Sequence, residues 1–176
     1  MLPPNFRVAT AADGPALLDL VQSAYRGEAS RAGWTTEADL LDGTRTNGDL
    51  LDADLADPAT TFLVAEDANG LLACCAVTGR AGGAAYFGTC AVRPRAQGSG
   101  IGTRMLAAAA EHARVAGATR LEMTVLAQRS DLLAWYARRG YQATGQTRPF
   151  PYGDERYGTP LRDDLVFTVL AASLDT

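Results

Sequence analysis

The sequence predicts an α/β domain: a mixed, mostly antiparallel central sheet with helices on both faces. Three observations carry this. Three strand-length runs between residues 61 and 92 are joined by hairpin turns. A glycine-rich turn then leads from the third run straight into an amphipathic helix. That helix is followed by a strand, a helix and two further strands, so that β-hairpins and one parallel crossover share a sheet.

In chain order, Phe6–Thr10 reads as a short strand, and Asp13-Gly14-Pro15 opens a helix with Leu17, Leu18, Leu20 and Val21 at helical spacing, ending near Arg26-Gly27. From Gly33 to Leu41, a Thr cap followed by Glu37 and Asp39 predicts a helix start. A second short helix is predicted from Asn47 to Ala56. Thr61–Glu66 is a strand, Asp67-Ala68-Asn69-Gly70 a hairpin turn, and Leu71–Thr78 the returning strand. A turn at residues 81–84 leads into the strand Ala85–Val92. The helix from about Gly100 to Ala116 is closed by Gly117, and the strand Arg120–Leu126 follows. Ser130–Arg139 is a helix ended by Gly140, and Tyr141–Gly145 and Asp164–Leu170 complete the sheet.

With 176 residues, 47% of them hydrophobic and 20% charged, the whole chain 1–176 is expected to form one domain. It has no apolar run of membrane-spanning length, and its N-terminal residues lack a basic stretch followed by an apolar one. No membrane partner and a cytoplasmic location are therefore expected. The net charge is −4, and all sixteen basic residues are arginines, which argues against nucleic acid and removes lysine Schiff-base chemistry. A cationic or neutral partner fits that balance. Cys74, Cys75 and Cys90 have neither disulfide nor metal spacing and read as small core residues; His112, the one histidine, reads as a surface residue. No metal is expected.

The chemistry concentrates in Gln97-Gly98-Ser99-Gly100-Ile101-Gly102, between a strand and a helix. Missing side chains let the backbone bend tightly and let a ligand approach successive N–H groups, while the helix leaves its first N–H groups unpaired. The result is a cradle for pyrophosphate. A dinucleotide site would need a third glycine where Thr103 stands, and its ribose-binding acid would sit at the end of the next strand, whereas Glu122 sits at the start.

Gln97, Gly100 and Gly102 match the pattern Gln or Arg, two residues, Gly, one residue, Gly or Ala. In this the stretch resembles the acyl-CoA loop of the GNAT superfamily of N-acetyltransferases, and Val92-x-Pro94 and Thr103–Leu106 resemble its flanks. Tyr136, four residues ahead of Gly140 in Gly140-Tyr141, resembles that family's Tyr-x-x-x-Gly-Phe signature with Tyr141 in place of Phe. The likeness runs over most of the chain. It implies a GNAT-like acyl-CoA N-acyltransferase fold, acetyl-CoA as co-substrate and direct acetyl transfer to an amine, with no metal.

It also implies a set of site residues. Cys90, Ala91 and Val92 would present backbone N–H groups to the thioester carbonyl. Gln97, Gly98, Ser99, Gly100, Ile101, Gly102 and Thr103 would hold the phosphates. Arg129 stands where relatives usually carry an Asn beside the cofactor, and Tyr136 would protonate the leaving thiolate. Tyr136 also reads as a residue that simply packs a helix face. Relatives often place a Glu before the valine of the corresponding strand, yet here Thr124 precedes Val125. Glu122, which shares a strand face with Thr124, and Glu37 are the candidate bases, each acting through water; they read more readily as a solvated strand carboxylate and a helix-start acid. An amine that arrives neutral needs no base.

Two stretches, Tyr25–Leu41 with Trp34 and Thr147–Gly158, are foreign to the minimal fold and are expected to shape the acceptor pocket, as a cage for an ammonium or guanidinium group. They equally read as a packed lid or a homodimer contact. They are similar to a bacterial subgroup of acetyltransferases, a likeness that supplies no acceptor. A small-molecule amine is the expected acceptor; a protein or peptide amine, or a non-catalytic acyl-CoA sensor, are the alternatives.

Overall fold

The computed structural model describes residues 3–175; Met1 and Leu2, part of the N-terminal stretch read above, lie outside the described residues. The strands are β1 (Asn5–Val8), β2 (Leu41–Asp42), β3 (Thr60–Asp67), β4 (Gly70–Gly79), β5 (Ala84–Val92), β6 (Arg120–Leu126), β7 (Gln142–Pro149), β8 (Thr159–Pro160) and β9 (Val166–Ser173). The α-helices are α1 (Gly14–Tyr25), α2 (Gly27–Ser30), α3 (Gly48–Ala56), α4 (Ile101–Val115) and α5 (Ser130–Ala137). Seven strands form one sheet in the order β1-β3-β4-β5-β6-β9-β7, and β2 and β8 form a separate two-stranded one. Within the large sheet only β5 and β6 pair in parallel.

Strand periodicity sorts the core into two layers. Ala73, Cys75 and Val77 of β4 point to one face, where Met105, Leu106, Ala109 and Ala113 of α4 and Tyr136 of α5 cover them. Cys74 and Ala76 point to the other, under Leu17, Leu20, Val21 and Ala24 of α1 and Leu51 of α3. The alternation of β4 and the helical spacing of α1 thus make the same assignment.

The structure differs from expectation at two places. Residues 33–41 form turns rather than a helix, ending in β2, which pairs with β8. The Thr36 hydroxyl there accepts from Ala38 N–H at 3.2 Å, a local i→i+2 turn bond that competes with helix capping. The strand after Gly140 starts one residue late and runs on to Pro149, past Gly145, while its partner β9 starts at Val166. A register shift between Ala143 and Thr147 absorbs Gly145 as an irregularity within the strand. None of the helices in the described residues is long and apolar enough to cross a membrane.

Burial raises the Cys74 and Cys75 thiols well above their ordinary values and pushes the Tyr141 phenol up to about 12. Folding therefore favours their neutral forms. Their contribution to stability is complete below the unfolded thiol value of about 8.5 and is lost as pH rises toward the folded values, because the unfolded chain then releases protons that the folded one retains. The urea unfolding midpoint is expected to fall steadily between about pH 8.5 and 11. A flat midpoint across that window would contradict the buried, protonated state of these groups.

Candidate active site

β5 and β6 are paired only over Ala84–Arg120, Ala85–Leu121 and Tyr86–Glu122. Beyond Tyr86 the two strands run on without pairing, so residues 87–92 leave a ladder edge open inside the sheet. On its other edge β5 carries one extra residue against β4, where the register moves from Cys74–Ala91 to Ala76–Gly88. Thr89 lies in that bulge at φ 46°, a left-handed conformation unusual for a β-branched residue. Bulge and divergence together open the sheet, and two clefts meet there.

The first cleft, of about 270 Å³, lies at the start of α4. Gly98 and Gly100 adopt φ of 82° and 84°, which only glycine takes up freely, and Gly100 opens α4 with no side-chain cap. The first N–H groups of this fifteen-residue helix therefore face the cleft side without a side-chain acceptor, with the positive end of the helix dipole behind them. Arg139 adds a cation: its guanidinium donates to Thr103 Oγ1 at 2.9 and 3.1 Å and lies 3.7 Å from the centre of the Trp135 ring. Backbone donors, a helix N-terminus and an arginine form a donor set suited to pyrophosphate.

The Gln97 side chain is engaged within the protein. Its amide oxygen accepts from Trp34 N–H at 2.8 Å and Thr35 N–H at 3.3 Å, and its amide nitrogen donates to Thr35 Oγ1 at 2.8 Å and the Val92 carbonyl at 3.0 Å. Its hydrogen-bonding capacity is used up in tying residues 34–35 to the glycine loop. A Cβ at Gly33 would come within 2.7 Å of that amide, so the tie needs glycine there.

Tyr25, Cys90, Leu132 and Tyr136 line both clefts and mark their junction. Tyr136 is 7% exposed and packs edge-on against Phe87, Trp135 and Tyr141, while its hydroxyl has no hydrogen-bond partner among the described residues. Burial, reinforced by Cys90 nearby, raises its phenol well above the ordinary value, so it is protonated throughout the neutral range. The Tyr25 hydroxyl donates to the Cys90 carbonyl. Burial also pushes the Cys90 thiol up to about 12, which leaves it a protonated, weakly nucleophilic group.

The second cleft, of about 420 Å³, lies between α1, the β5–β6 opening and the two inserted stretches. The inserts meet each other, with β2 paired to β8 and Leu41 packed with Leu126, Phe150 and Leu165. Three arginines distant in sequence converge on one carboxylate here. Glu37, 8% exposed, accepts from Arg26 at 3.3 Å and Arg45 at 3.2 Å, and Arg129 stands 3.8 Å away. Desolvation lowers the pKa of the Arg26 guanidinium, with Glu37 opposing the shift.

Of the residues expected at the cofactor, Cys90, Val92, Gln97, Gly98, Gly100, Gly102, Thr103 and Tyr136 line the first cleft. Ala91 and Ile101 turn their side chains into the core, leaving only backbone to contribute. The Ser99 hydroxyl donates to the Ala96 carbonyl at 2.6 Å. Arg129 lines the second cleft and not the first. Trp34, expected at the acceptor, lines the first cleft, 6.3 Å from Trp135. Glu122 lies outside both clefts, paired with Arg120 at 2.6 Å; it belongs to the part of β6 still zipped to β5. Sequence reasoning did not single out Arg139, Trp135 and Leu132, which line the first cleft, or Arg26 and Arg45, which line the second. Spacing on α5 offered a signal for Leu132, which lies one turn before Tyr136; the arginines gave none. Among the described residues no group of three or more His, Cys, Asp or Glu is placed to hold a metal.

The sequence matches the Acetyltransferase (GNAT) family over residues 16–141, a span that includes the glycine loop, the β5–β6 opening and Tyr136. The chain belongs to that family and is an acyltransferase. In fold it is similar to the Salmonella typhimurium protein yncA, described with its cofactor acetyl-CoA (20% identity, TM-score 0.72, covering 99% of this chain and 96% of that one). It is likewise similar to the Escherichia coli N-acetyltransferase of a ribosomal-protein alanine (14%, TM-score 0.72, 98% and 95%) and to nourseothricin acetyltransferase (18%, TM-score 0.70, 99% and 100%). No sequence among the curated proteins matches it.

Proposed function

We propose that this chain moves an acetyl group from acetyl-CoA directly onto the amine of a small molecule. The observation that carries this is the meeting of two clefts at Tyr25, Cys90, Leu132 and Tyr136, one suited to a diphosphate and the other to a compact polar acceptor. Acetyl-CoA supplies the acetyl group already activated as a thioester. The start of α4 and Arg139 bind its phosphates, and backbone of residues 90–92, on the open edge of β5, orients the acyl end and stabilises negative charge developing on the carbonyl oxygen. Tyr136, protonated and at the junction, gives its proton to the departing sulfur.

Among the described residues the second cleft is lined by two carboxylates, Glu37, which is engaged by arginines, and Asp54, which is exposed on α3, while Glu122 lies outside. The arginines themselves disfavour an ammonium beside them, so the amine attacks in its neutral form and its proton passes to water in the cleft. The protonated Cys90 thiol favours direct transfer over an acyl-enzyme.

The test pairs a calorimetric titration with a thiol-release assay. Acetyl-CoA is expected to bind in the micromolar to millimolar range typical of enzyme substrates while NAD does not, and free CoA is expected to appear only when an amine is present. Binding without thiol release across a broad amine panel would leave an acyl-CoA sensor in place of the enzyme.

A further inference from the structure

We infer that the acceptor is an amine that also carries a carboxylate or similar oxyanion, held by Arg129 in the second cleft; this deepens the function proposed above and rests on it. The chain as a whole is acidic, at −4, yet the interior of this cleft is cationic. Arg26, Arg45 and Arg129 share the single buried carboxylate of Glu37. Arg156 is held by Asp154 through a bidentate pair, and Asp54 is an exposed residue on α3. An ammonium cage of acids and aromatics, the expectation from the inserted stretches, does not match this charge.

Arg129 is the particular anchor. It is 5% exposed, and both its terminal nitrogens are buried without a hydrogen-bond partner. Among the described residues its acidic neighbours lie beyond hydrogen-bonding range, Glu37 at 3.8 Å and Asp131 at 3.7 Å. A desolvated guanidinium with two idle donor nitrogens is costly unless something answers it, and the planar fork matches an oxyanion. Arg129 also precedes α5, the helix that carries Leu132 and Tyr136, both at the junction of the clefts. An oxyanion on Arg129 therefore sets the acceptor's amine at a short, fixed reach from the acyl group, as an amino acid or aminoalkyl phosphonate would require.

The experiment compares free amino acids and aminoalkyl phosphonates with their carboxamides and the decarboxylated amines. Thiol release from acetyl-CoA and thermal shift in the presence of CoA are measured for the wild type and for Arg129→Ala and Arg129→Lys. The expected result is a preference for the anionic acceptors on the order of 10²-fold in kcat/KM, collapsing in Arg129→Ala through the acceptor KM and partly restored in Arg129→Lys, with acetyl-CoA affinity unchanged. Preference for the neutral amines, or no thermal shift and no turnover with any anionic compound, overturns the inference while leaving amine acetylation open. A change confined to acetyl-CoA affinity in Arg129→Ala overturns it too and returns Arg129 to the cofactor. Failure of wild-type protein to bind acetyl-CoA removes the underlying function instead.

Discussion

Tyr136→Phe is expected to lower turnover by roughly 10²–10⁴-fold while acetyl-CoA affinity barely moves, because the lost hydroxyl acts only as the thiolate departs. The substitution keeps the ring and therefore the edge-on contacts with Phe87, Trp135 and Tyr141. The hydroxyl it removes has no hydrogen-bond partner among the described residues, so unfolding should shift little. The phenol's raised pKa adds a second signature. In the wild type no alkaline loss of rate should come from Tyr136 up to about pH 10, the value at which an ordinary phenol ionises. Pre-steady-state thiol release, read beside a circular dichroism spectrum, checks both. A folded variant with wild-type turnover would show that water protonates the sulfur and that Tyr136 serves only as a packed aromatic.

Gly100→Asp is expected to abolish measurable acetyl-CoA binding. Gly100 sits at φ 84° with nothing within 4 Å of an added Cβ, so the fold has room for a side chain and the cost to folding is backbone strain alone, about 1–2 kcal/mol. The carboxylate, however, would occupy the position where an oxyanion meets the start of α4, and would itself satisfy the helix N-terminus. Gly100→Ala separates the two effects: it carries the strain without the charge and should retain most of the affinity. Calorimetric titration of the two variants against wild type reads the difference. Equal affinity in Gly100→Asp would mean that phosphates are bound elsewhere.

The parts of this site that act through local backbone were legible from the sequence. The hairpin turns, the glycine loop and Tyr136 one turn before Gly140 are patterns of adjacent residues, and local conformation decides them. The second cleft was not legible for the opposite reason. Arg26, Arg45, Arg129 and Glu37 meet across a hundred residues of chain, and no spacing rule relates them. Residues 33–41 misled because Thr-Thr-Glu is also a cap signal. Here Thr35 is drawn to the Ala24 carbonyl and to Gln97, Thr36 to Ser30, and Glu37 inward to the arginines, so tertiary partners outcompeted a marginal helix. Gln97 shows the converse: its position in the glycine loop is local, but the partners of its amide, Trp34 and Thr35, are more than sixty residues away and no spacing rule announces them.

The unzipped length of β5 bears on how this chain is free to vary. If residues 87–92 recognise the acyl arm through main-chain N–H and C=O groups, the recognition does not depend on which side chains those residues carry. Phe87 and Ala91 answer to core packing on their respective faces, while Cys90 and Val92 also face the first cleft. Proline is the one residue that would erase a donor from that edge. A reader of sequences would therefore find the main-chain part of this site marked by what is missing, the absence of proline, rather than by any chemical signature.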